Sequence, residues 1–379
     1  MNIGIEVQRI FRPKKHGMEI VSMEIIRELQ QLDKENQYVL FAKKDEDDAS
    51  VVATENFVVD LSITGPYPTW EQIGLPARAK NSSIQFLHCT ANTAPIFCKV
   101  PTIITVHDVI YMESVSFKGS AYQNFGNIYR RIVVPRAVKN AHLILTVSEY
   151  EKQVIADKLG VALEKIRVIY NGVNKQFTRI HDHELLERFR EKHQLPHKFM
   201  LHFGNTAPKK NTIGVLEAFK KLAATQKEVL PLVITDCEPA YINELLKKID
   251  GLHLLEHIVM PGYIPFPEIA QLYNLATLFL YPSHRESFGM PVIEAMACGV
   301  PVITSDKSAL PEIAGRAACL VNPASPDDIC EKIVLLLQDK DLYELKRQEG
   351  FKNAQRFSWK NAAIKTLEIY QEMKSICKL

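Results

Sequence analysis

Two glutamates eight positions apart, Glu286 and Glu294, are the residues of this 379-residue chain whose spacing first suggests chemistry. Glu286 lies in a glycine-bearing loop after an apolar run at 277–281 that predicts a buried strand. Proline suits a first helical turn, so a helix is predicted to begin at Pro291 with Glu294 in its first turn. The two carboxylates could bind hydroxyls while free N–H groups of the helix hold a phosphate. A surface loop residue and a carboxylate that complements the helix dipole explain the pair equally well.

A second loop carries two adjacent lysines. Lys209 and Lys210 follow an apolar run at 199–203 and stand at the predicted start of a helix. Positive charge is unfavourable at a helix N-terminus, so this placement indicates an anion bound there. A pyrophosphate held by the ammonium groups and the free N–H groups would satisfy both lysines. The alternative is a solvated lysine pair.

Two further candidates follow predicted strands. His107 comes directly after the run at 102–106, and the carboxyl ends of parallel strands face the ligand crevice of such sheets. Its imidazole could donate to a substrate hydroxyl or carry a proton near neutral pH, and a structural histidine is as well supported. Gly17 follows the strand at 2–7 and opens a helix, where glycine lets N–H groups approach a phosphate. A simple strand-to-helix turn is the stronger alternative for Gly17.

Gly262 and Tyr263 follow another short apolar run, at 258–260. A glycine and an aromatic ring at this place could flank a flat base, and a tyrosine in the core explains the pair nearly as well. The acidic residues at 45–48 are predicted to form a solvated loop rather than a metal site. No paired-cysteine or nucleophile-elbow motif accompanies these residues.

The elements that would position these residues alternate between strand and helix. Strands are predicted at 2–7, 38–42, 57–61, 84–88, 102–106, 143–147, 166–170, 199–203, 232–235, 258–260, 277–281, 301–304 and 319–321. Such alternation predicts an α/β fold with parallel sheets covered on both faces. The series ends near residue 170 and begins again at 199, so two doubly wound units are expected, with ligands in a cleft between them.

The length of the chain predicts two domains, because 379 residues are more than a single hydrophobic core ordinarily accommodates. The predicted domains are 1–175 and 176–358, the second opening with a polar linker at 176–197, and a last amphipathic helix occupies 359–379. Ser148, with Glu151 three residues on, is predicted to cap a helix. The proline- and aromatic-rich segment 65–76 is predicted to be an irregular surface connection.

Charge and cysteine usage narrow the class of protein. Hydrophobic content of 46% and charged content of 24% are typical of a soluble globular protein, and a net charge of +2 argues against a dedicated nucleic-acid binder. No apolar stretch approaches 18 residues, which argues against a membrane span. The seven cysteines show no metal spacing and are predicted to be reduced thiols. A cytoplasmic protein is expected.

In their order along the chain, these motifs resemble glycosyltransferase family 4, retaining enzymes of the GT-B fold, in which two Rossmann-like domains face each other across a cleft. The resemblance spans about residues 16 to 315. It is carried by the Glu-x7-Glu motif at Glu286 and Glu294 and by the segments 107–108, 147–149, 171–173, 208–211 and 308–315. It implies an N-terminal domain that binds the acceptor and a C-terminal domain that binds a nucleotide-sugar donor.

The resemblance implies a role for each motif residue. His107 and Glu286 would be the catalytic positions, both contacting the transferred sugar. The expected donor-binding residues are Gly17 and Asn205 near the diphosphate, Lys209 and Lys210 neutralising it, Gly262 and Tyr263 at the base, the backbone of Phe288, Gly289 and Met290 at the sugar, and Glu294 at the ribose hydroxyls. Two departures stand out: many members have arginine at the position of Asn205, and often a glycine pair where this chain has His16 and Gly17.

The chemistry implied is transfer with retained stereochemistry and without metal or cofactor. Lysines and a helix N-terminus would stabilise the charge that grows on a nucleoside diphosphate leaving group. Glu286 is expected to be a ligand of sugar hydroxyls rather than a nucleophile. The expected reaction is therefore front-face substitution, with the leaving phosphate taking the proton of the acceptor.

Donor and acceptor follow from a narrower resemblance, to bacterial mannosyltransferases of surface polysaccharide and O-antigen synthesis. GDP-mannose is the expected donor, with UDP- or dTDP-linked hexoses as alternatives, and a glycan or lipid-linked saccharide is the expected acceptor. A catalytically silent nucleotide-sugar-binding protein, or another GT-B enzyme such as an epimerase or phosphorylase, is the rival interpretation. The predicted helix 122–139 is basic and without acids, so either contact with the inner face of the membrane or a solvated surface would explain it.

Overall fold

A computed structural model describes residues 1–12, 17–47, 50–113 and 121–377. Its strands are short and apolar, as fully covered strands must be. In chain order they are β1 Asn2–Glu6, β2 Gln37–Phe41, β3 Phe57–Asp60, β4 Phe86–Cys89, β5 Thr102–Thr105, β6 Leu143–Thr146, β7 Ile166–Val168, β8 Met200–Phe203, β9 Leu232–Thr235, β10 Ile258–Val259, β11 Leu278–Tyr281, β12 Val302–Ser305 and β13 Cys319–Val321.

The α-helices run between and around these strands. They are α1 Gly17–Leu32, α2 Tyr67–Thr69, α3 Leu75–Asn81, α4 Ile110–Glu113, α5 Ala121–Asn140, α6 Glu149–Leu159, α7 His183–Lys192, α8 Thr212–Thr225, α9 Pro239–Lys248, α10 Ile269–Leu275, α11 Met290–Ala297, α12 Leu310–Ala314, α13 Pro326–Gln338, α14 Lys340–Ala354 and α15 Trp359–Ile376. Short 3₁₀ turns occur at Gln8–Phe11, Leu163–Lys165, Pro208–Lys210, Leu252–His257 and Phe266–Glu268, and a π-helical turn at Trp70–Gly74. Within the described residues, no helix is both long and apolar enough to cross a membrane.

One compact unit comprises Met1–Gly172 and Trp359–Leu379. Its strands form a parallel seven-stranded sheet in the order β3-β2-β1-β4-β5-β6-β7. The closing helix α15 belongs to this unit because Tyr370 is buried and its hydroxyl lies 2.8 Å from Nδ1 of His88, in β4. The order reverses beside β1, so the loops that follow β1 and β4 diverge to opposite faces of the sheet and leave a crevice at their carboxyl ends.

The second compact unit is Val173–Ser358. Its parallel six-stranded sheet has the order β10-β9-β8-β11-β12-β13, with the reversal between β8 and β11. The loops after β8 and β11 carry the lysine pair and Glu286, respectively. Adjacent strands at a switch point therefore deliver both motifs to the same edge of this sheet.

The predicted α/β class with two doubly wound parallel sheets is confirmed. Each predicted strand is present, with ends displaced by at most two residues. Ser148 caps α6 as predicted, because its Oγ accepts the Glu151 N–H at 3.1 Å. His16, which the family comparison sets beside Gly17, lies outside the described residues, as does Asp48 of the acidic loop.

Two local predictions are wrong. The segment 65–76 is not an irregular surface connection but contains α2, the π-helical turn and the start of α3. Burial explains the difference, since Trp70 is 1% exposed and anchors the segment in the core. The helix after Glu286 begins at Met290, so Glu294 lies one full turn inside it, not in its first turn.

Candidate functional site

The lysine-bearing loop and the Glu286 loop are hydrogen-bonded to each other in the second unit. The His284 N–H donates to the carbonyl of Lys209 at 2.8 Å. Asn211 Nδ2 donates to the carbonyl of Pro282 at 3.0 Å and to that of Pro323 at 2.7 Å. Asn211 is buried and has a φ of +60°, a left-handed conformation that asparagine tolerates better than most residues. Asn211 therefore fixes the lysine turn onto the neighbouring loop.

The structure brings Lys210 and Glu286 into direct contact. Lys210 Nζ lies 2.7 Å from Glu286 Oε1 and 2.8 Å from the Tyr281 hydroxyl, which itself donates to Glu286 Oε1 at 2.9 Å. The side chains of Lys210 and Glu286 are 23% and 10% exposed. One ammonium, one phenol and one carboxylate thus form a partly buried triad at the carboxyl edge of β8 and β11.

Electrostatic interactions within the triad keep Lys210 protonated. Burial alone would lower the pKa of Lys210, but the oxygens of Tyr281 and Glu286 outweigh it and raise that pKa. Burial also raises the pKa of Tyr281, so its hydroxyl is neutral near pH 7 and Glu286 is the counter-ion of the lysine. The sequence predicts that a bound anion balances the positive charge of the lysines at the helix start. For Lys210, the carboxylate of Glu286 already supplies a negative charge in this structure.

The backbone of Glu286 is held from the other side by the loop that precedes α12. Its N–H donates to Ser308 Oγ at 3.0 Å, and its carbonyl accepts the Ala309 N–H at 3.3 Å. These bonds fix the direction in which the loop presents the carboxylate. Ser308 belongs to the segment 308–315, one of the motifs that carry the family resemblance. In the structure this residue holds the backbone of Glu286 in place.

Glu294 has a separate environment on α11. It is 6% exposed, and its Oε2 accepts the hydroxyl of Tyr273 at 3.2 Å. Burial raises the pKa of Glu294 to about 7, and the bond from Tyr273 only partly opposes this. The carboxyl is therefore poised between its two protonation states near neutral pH, and a ligand that donates hydrogen bonds to it would favour the ionised form.

The turn that begins α11 requires glycine. Gly289 has a φ of +99°, and a Cβ there would lie 2.6 Å from Leu310 Cδ2. Phe288 is buried and packs edge-on against Phe357, with ring centroids 5.7 Å apart. Met290 is the first residue of the helix. These three residues place the N–H groups of the helix start at the same sheet edge as Glu286.

The other predicted donor-binding residues of this unit lie in loops at strand ends. Asn205 Oδ1 accepts the Ala207 N–H at 2.8 Å, so its side chain shapes the lysine loop. Gly262 has a φ of +79° in the loop after β10. Tyr263 is 78% exposed, which rules out the core tyrosine considered from the sequence. Their roles toward a donor, like that of Lys209, stay predictions.

In the first unit, His107 is buried at the end of β5. Its N–H donates to Asn92 Oδ1 at 2.6 Å, and its Nε2 lies 2.9 Å from the carbonyl of Thr90. A carbonyl only accepts, so Nε2 carries the proton, and burial lowers the pKa of the ring. In this tautomer Nδ1 can only accept a hydrogen bond, because Nε2 already donates to Thr90, and a role of His107 toward a ligand stays a prediction.

Gly17 is the first residue of α1, and its local packing does not explain the residue type. A Cβ at this position would meet no described atom within 4 Å, and no left-handed φ requires glycine there. The contrast with Gly289 is clear, because both backbone and packing demand glycine at that position. The described residues give no packing reason for glycine here, and the approach of a ligand to Gly17 stays a prediction.

Several residues that build the site were not singled out from the sequence. Tyr281 is the last residue of a predicted strand, and its hydroxyl at the carboxyl end of an apolar run is the signal that could have identified it. No comparable signal marks Tyr273, which lies within α10. Asn211 lies inside the quoted motif 208–211, but its bridging amide depends on tertiary contacts that no local pattern reveals.

A buried carboxylate in the first unit was also missed. Glu71, in the π-helical turn, is fully buried and accepts hydrogen bonds from Tyr67, Gln72, Thr93 and Tyr129. Nearby Glu6 ends β1, and burial together with the charge of Glu71 raises the pKa of Glu6 to about 7. Both acids lie near the carboxyl end of β1, and π-helical turns often occur at functional sites.

Two doubly wound units, with this lysine–glutamate site at the switch point of the second, define the class of GT-B glycosyltransferases. Residues 16–177 match the family model described as Glycosyltransferase Family 4, and residues 185–356 match the model described as Glycosyl transferases group 1. The chain belongs to glycosyltransferase family 4.

Curated relatives agree with this assignment. The chain is 30% identical to the O-antigen chain mannosyltransferase RfbU of Salmonella typhimurium over 72% of each protein. It is also 30% identical to the O-antigen chain mannosyltransferase B of Escherichia coli, over 62% of each. The chain spans only 32 to 33% of the length of three serotype-specific mannosyltransferases WbdA of Escherichia coli, at 26% identity.

Solved structures confirm the predicted fold. HepE of Anabaena, in complex with UDP and glucose, superimposes with a TM-score of 0.73 at 18% identity. The superposition covers 98% of this chain and all of HepE. At this identity the likeness establishes the GT-B fold.

Proposed function

We propose that the chain transfers a hexose, mannose from GDP-mannose, to a glycan or lipid-linked saccharide, with retained stereochemistry and without a metal. The observation that carries this proposal is the contact of Lys210 with Glu286 at the switch point of the second sheet. It places a cation for a phosphate beside a carboxylate for sugar hydroxyls. The names of the relatives support mannose and a polysaccharide acceptor.

The leaving group is the first chemical problem. As the glycosidic bond to the diphosphate breaks, negative charge grows on the phosphate oxygens. Lys210 keeps its proton at neutral pH, because its neighbours raise its pKa. In the proposed reaction its ammonium turns from Glu286 toward the diphosphate, together with Lys209 and the free N–H groups at the start of α8 and α11.

Glu286 serves the sugar in this proposal. Its Oε1 already accepts two hydrogen bonds, which weakens it as a nucleophile and suits a carboxylate that binds hydroxyls. The reaction therefore proceeds by front-face substitution, in which the leaving phosphate takes the acceptor's proton. His107 binds the sugar through Nδ1. A covalent sugar–Glu286 adduct trapped with a slow donor would contradict this mechanism.

Glu294 serves the ribose. Its ionised form can accept hydrogen bonds from two neighbouring hydroxyls, and the raised pKa means that nucleotide binding near pH 7 drives a proton off. Isothermal titration in buffers of different ionisation enthalpy measures that proton. Release of about one proton per nucleotide at pH 6.5 would fit the assignment, and no release would contradict it.

A UDP-hexose donor is the alternative that a specific observation favours, because HepE was solved with UDP and glucose. A dTDP-hexose is the further alternative considered from the sequence. Thermal shift of the full chain against GDP, UDP, dTDP and their sugars separates the donors, since a ligand of the native state raises its stability. Stabilisation by GDP alone supports GDP-mannose as the donor. Stabilisation by UDP or dTDP instead would indicate that the donor is a UDP- or dTDP-linked hexose. No response to any nucleotide would contradict donor binding altogether.

Transfer itself needs a second measurement, because a catalytically silent protein would also bind nucleotide. Incubation of the stabilising donor with bacterial membranes as an acceptor source should release nucleoside diphosphate and label a glycan or lipid. EDTA should leave the rate unchanged. Binding without any transfer would favour the silent protein, and loss of rate restored by Mg²⁺ or Mn²⁺ would contradict metal independence.

A further inference from the structure

Helix α5 exposes a stripe of bulky apolar side chains that ends in two cations. Phe125, Ile128 and Ile132 are 55%, 46% and 50% exposed, and Arg136 and Lys139 are exposed one and two turns further on. At 100° per residue these five positions fall within an arc of roughly 80°. We call them the α5 outer face.

These apolar residues lie outside the buried core of the first unit. The opposite side of α5 already packs into the core of the first unit through Val133, Val134, Ala137 and Val138. Single exposed apolar residues are ordinary, but three large ones on successive turns form a contiguous patch of the kind that marks an interaction surface.

The α5 outer face continues past the end of the helix. Asn140 Nδ2 donates to the carbonyl of Ile96 at 2.8 Å, which brings the adjacent Phe97, 82% exposed, to the C-terminal end of α5. An open cavity of about 730 Å³ beside Phe97 is lined by Lys80, Lys99 and other residues. Phe97 and these lysines therefore lie beside the C-terminal end of α5, the end that carries Arg136 and Lys139.

Charge decides which partner fits. Over its 20 residues α5 carries four cations and no acid. Arg130 lies over the Tyr111 ring and Arg131 contacts the carbonyl of Tyr111, so Arg136 and Lys139 are the cations left on the outer face. Basic residues beside bulky apolar ones are the composition of helices that lie in the headgroup region of a bilayer, where anionic lipids attract them.

We propose that the α5 outer face and Phe97 dock on an anionic lipid bilayer, with the apolar side chains entering the boundary between headgroups and acyl chains. The proposal goes beyond the transferase proposal and does not depend on the donor. It identifies the residues through which the chain would work at the inner face of the membrane.

The test is sedimentation of the full chain with vesicles of phosphatidylcholine alone or with 30% phosphatidylglycerol. The wild type should bind the anionic vesicles and bind the neutral ones weakly. The variant Arg136→Glu/Lys139→Glu should lower binding at least tenfold, since each cation near such a surface contributes roughly a fivefold factor. The variant Ile128→Ser/Ile132→Ser should also lower binding at least tenfold, because it removes apolar surface that would be buried in the bilayer. The matched controls, Leu252→Ser/Leu345→Ser and Lys247→Glu/Lys248→Glu, alter exposed residues of the second unit and should bind like the wild type.

Three results would overturn the proposal. The first is equal binding by the wild type and both outer-face variants, or no binding at all. The second is loss in the charge variant only, which indicates adsorption by charge without insertion. The third is a concentration-dependent dimer that Ile128→Ser/Ile132→Ser dissociates, which assigns the face to a second copy. Nucleotide-induced thermal shift of the same variants should stay at the wild-type value, so failure here is distinguishable from failure of the transferase proposal.

Discussion

Lys210 and Glu286 are 76 residues apart in the sequence and 2.7 Å apart in the structure. Neighbouring strands β8 and β11 bring them together, and the buried amide of Asn211 joins their loops. The pair links the two halves of the proposed chemistry, in which Lys210 binds the phosphate and Glu286 binds the sugar hydroxyls. Removing either residue leaves the other largely buried and without its charged partner. The two single variants should nevertheless differ, because Glu286→Ala is expected to lose transfer and Lys210→Ala is expected to lose diphosphate binding.

Glu286→Ala should abolish transfer while nucleotide binding survives. In the proposed mechanism, the variant removes the carboxylate that binds the sugar and frees Lys210 for the diphosphate. We expect the rate of nucleoside diphosphate release to fall by roughly 10²–10³-fold, as for loss of one preorganised contact to the transition state. The exposed Glu256→Ala is the control. Equal loss of nucleotide binding in Glu286→Ala and Glu294→Ala would show that the division of roles between the two glutamates is wrong.

The raised pKa of Glu294 predicts a pH-dependent stability. Between about pH 4.5 and 7 the unfolded chain loses this proton while the folded chain keeps it, so the free energy of unfolding falls as the pH rises. The full penalty, on the order of 3 kcal/mol, is present above pH 7. Glu294→Gln removes it, so the stability of the variant relative to wild type should increase from pH 5 to pH 8.

Circular dichroism during urea unfolding measures this difference. Trp70 and Trp359 are the two tryptophans of the chain and both lie in the first unit, so their fluorescence transition is an internal control. The same difference between Glu294→Gln and wild type at both pH values would contradict the assignment. Glu256→Gln should show no pH-dependent difference.

Gly17→Ala should separate function from folding. Its Cβ would meet no described atom, so we expect an unchanged melting temperature. If a diphosphate approaches the backbone there, the methyl group will obstruct it, and release of nucleoside diphosphate should slow by about tenfold or more. Gly126→Ala, also in open space, is the matched control. Full activity of Gly17→Ala, or a clear loss of stability, would show that close approach is not the reason for this glycine.

Glu71→Ala should destabilise the first unit. The change leaves the donors of Tyr67, Gln72, Thr93 and Tyr129 without their acceptor, at a cost of about 3 kcal/mol or more. Tryptophan fluorescence during urea unfolding follows this unit, and the exposed Glu55→Ala is the control. A loss below about 1 kcal/mol would show that water satisfies these donors and that the network is not a structural centre.

The sequence predicts the strands of this fold well because each is fully covered and therefore apolar along its length. A run such as Leu232–Thr235 stands out from its polar surroundings, and its bounds agree with the structure. The helix cap at Ser148 is also predicted correctly, because the residues that form it are close together in the sequence. The segment around Trp70 fails because proline and aromatic residues are typical of loops, whereas here tertiary burial organises them into helical turns.

Only some residues of the candidate site could be predicted from the sequence. Motif spacing identified Lys210 and Glu286 separately, but their contact depends on which strands become neighbours. The hydroxyl of Tyr281 and the amide of Asn211 belong to residue types that are common elsewhere in the chain, so nothing local distinguishes them. The carboxylate of Glu71 lies in a segment assigned to the surface, where a glutamate needs no explanation.

Isothermal titration of nucleoside diphosphate into wild type, Lys210→Ala and Lys209→Ala tests the central claim most directly, with the base chosen from the thermal-shift panel. A charge-assisted contact to phosphate contributes about 1.5–3 kcal/mol, so Lys210→Ala should weaken diphosphate binding by roughly 10- to 100-fold. Its affinity for the unphosphorylated nucleoside should be unchanged, and Lys209→Ala should lose less. Wild-type affinity of Lys210→Ala for the diphosphate would contradict the claim that this site holds the donor.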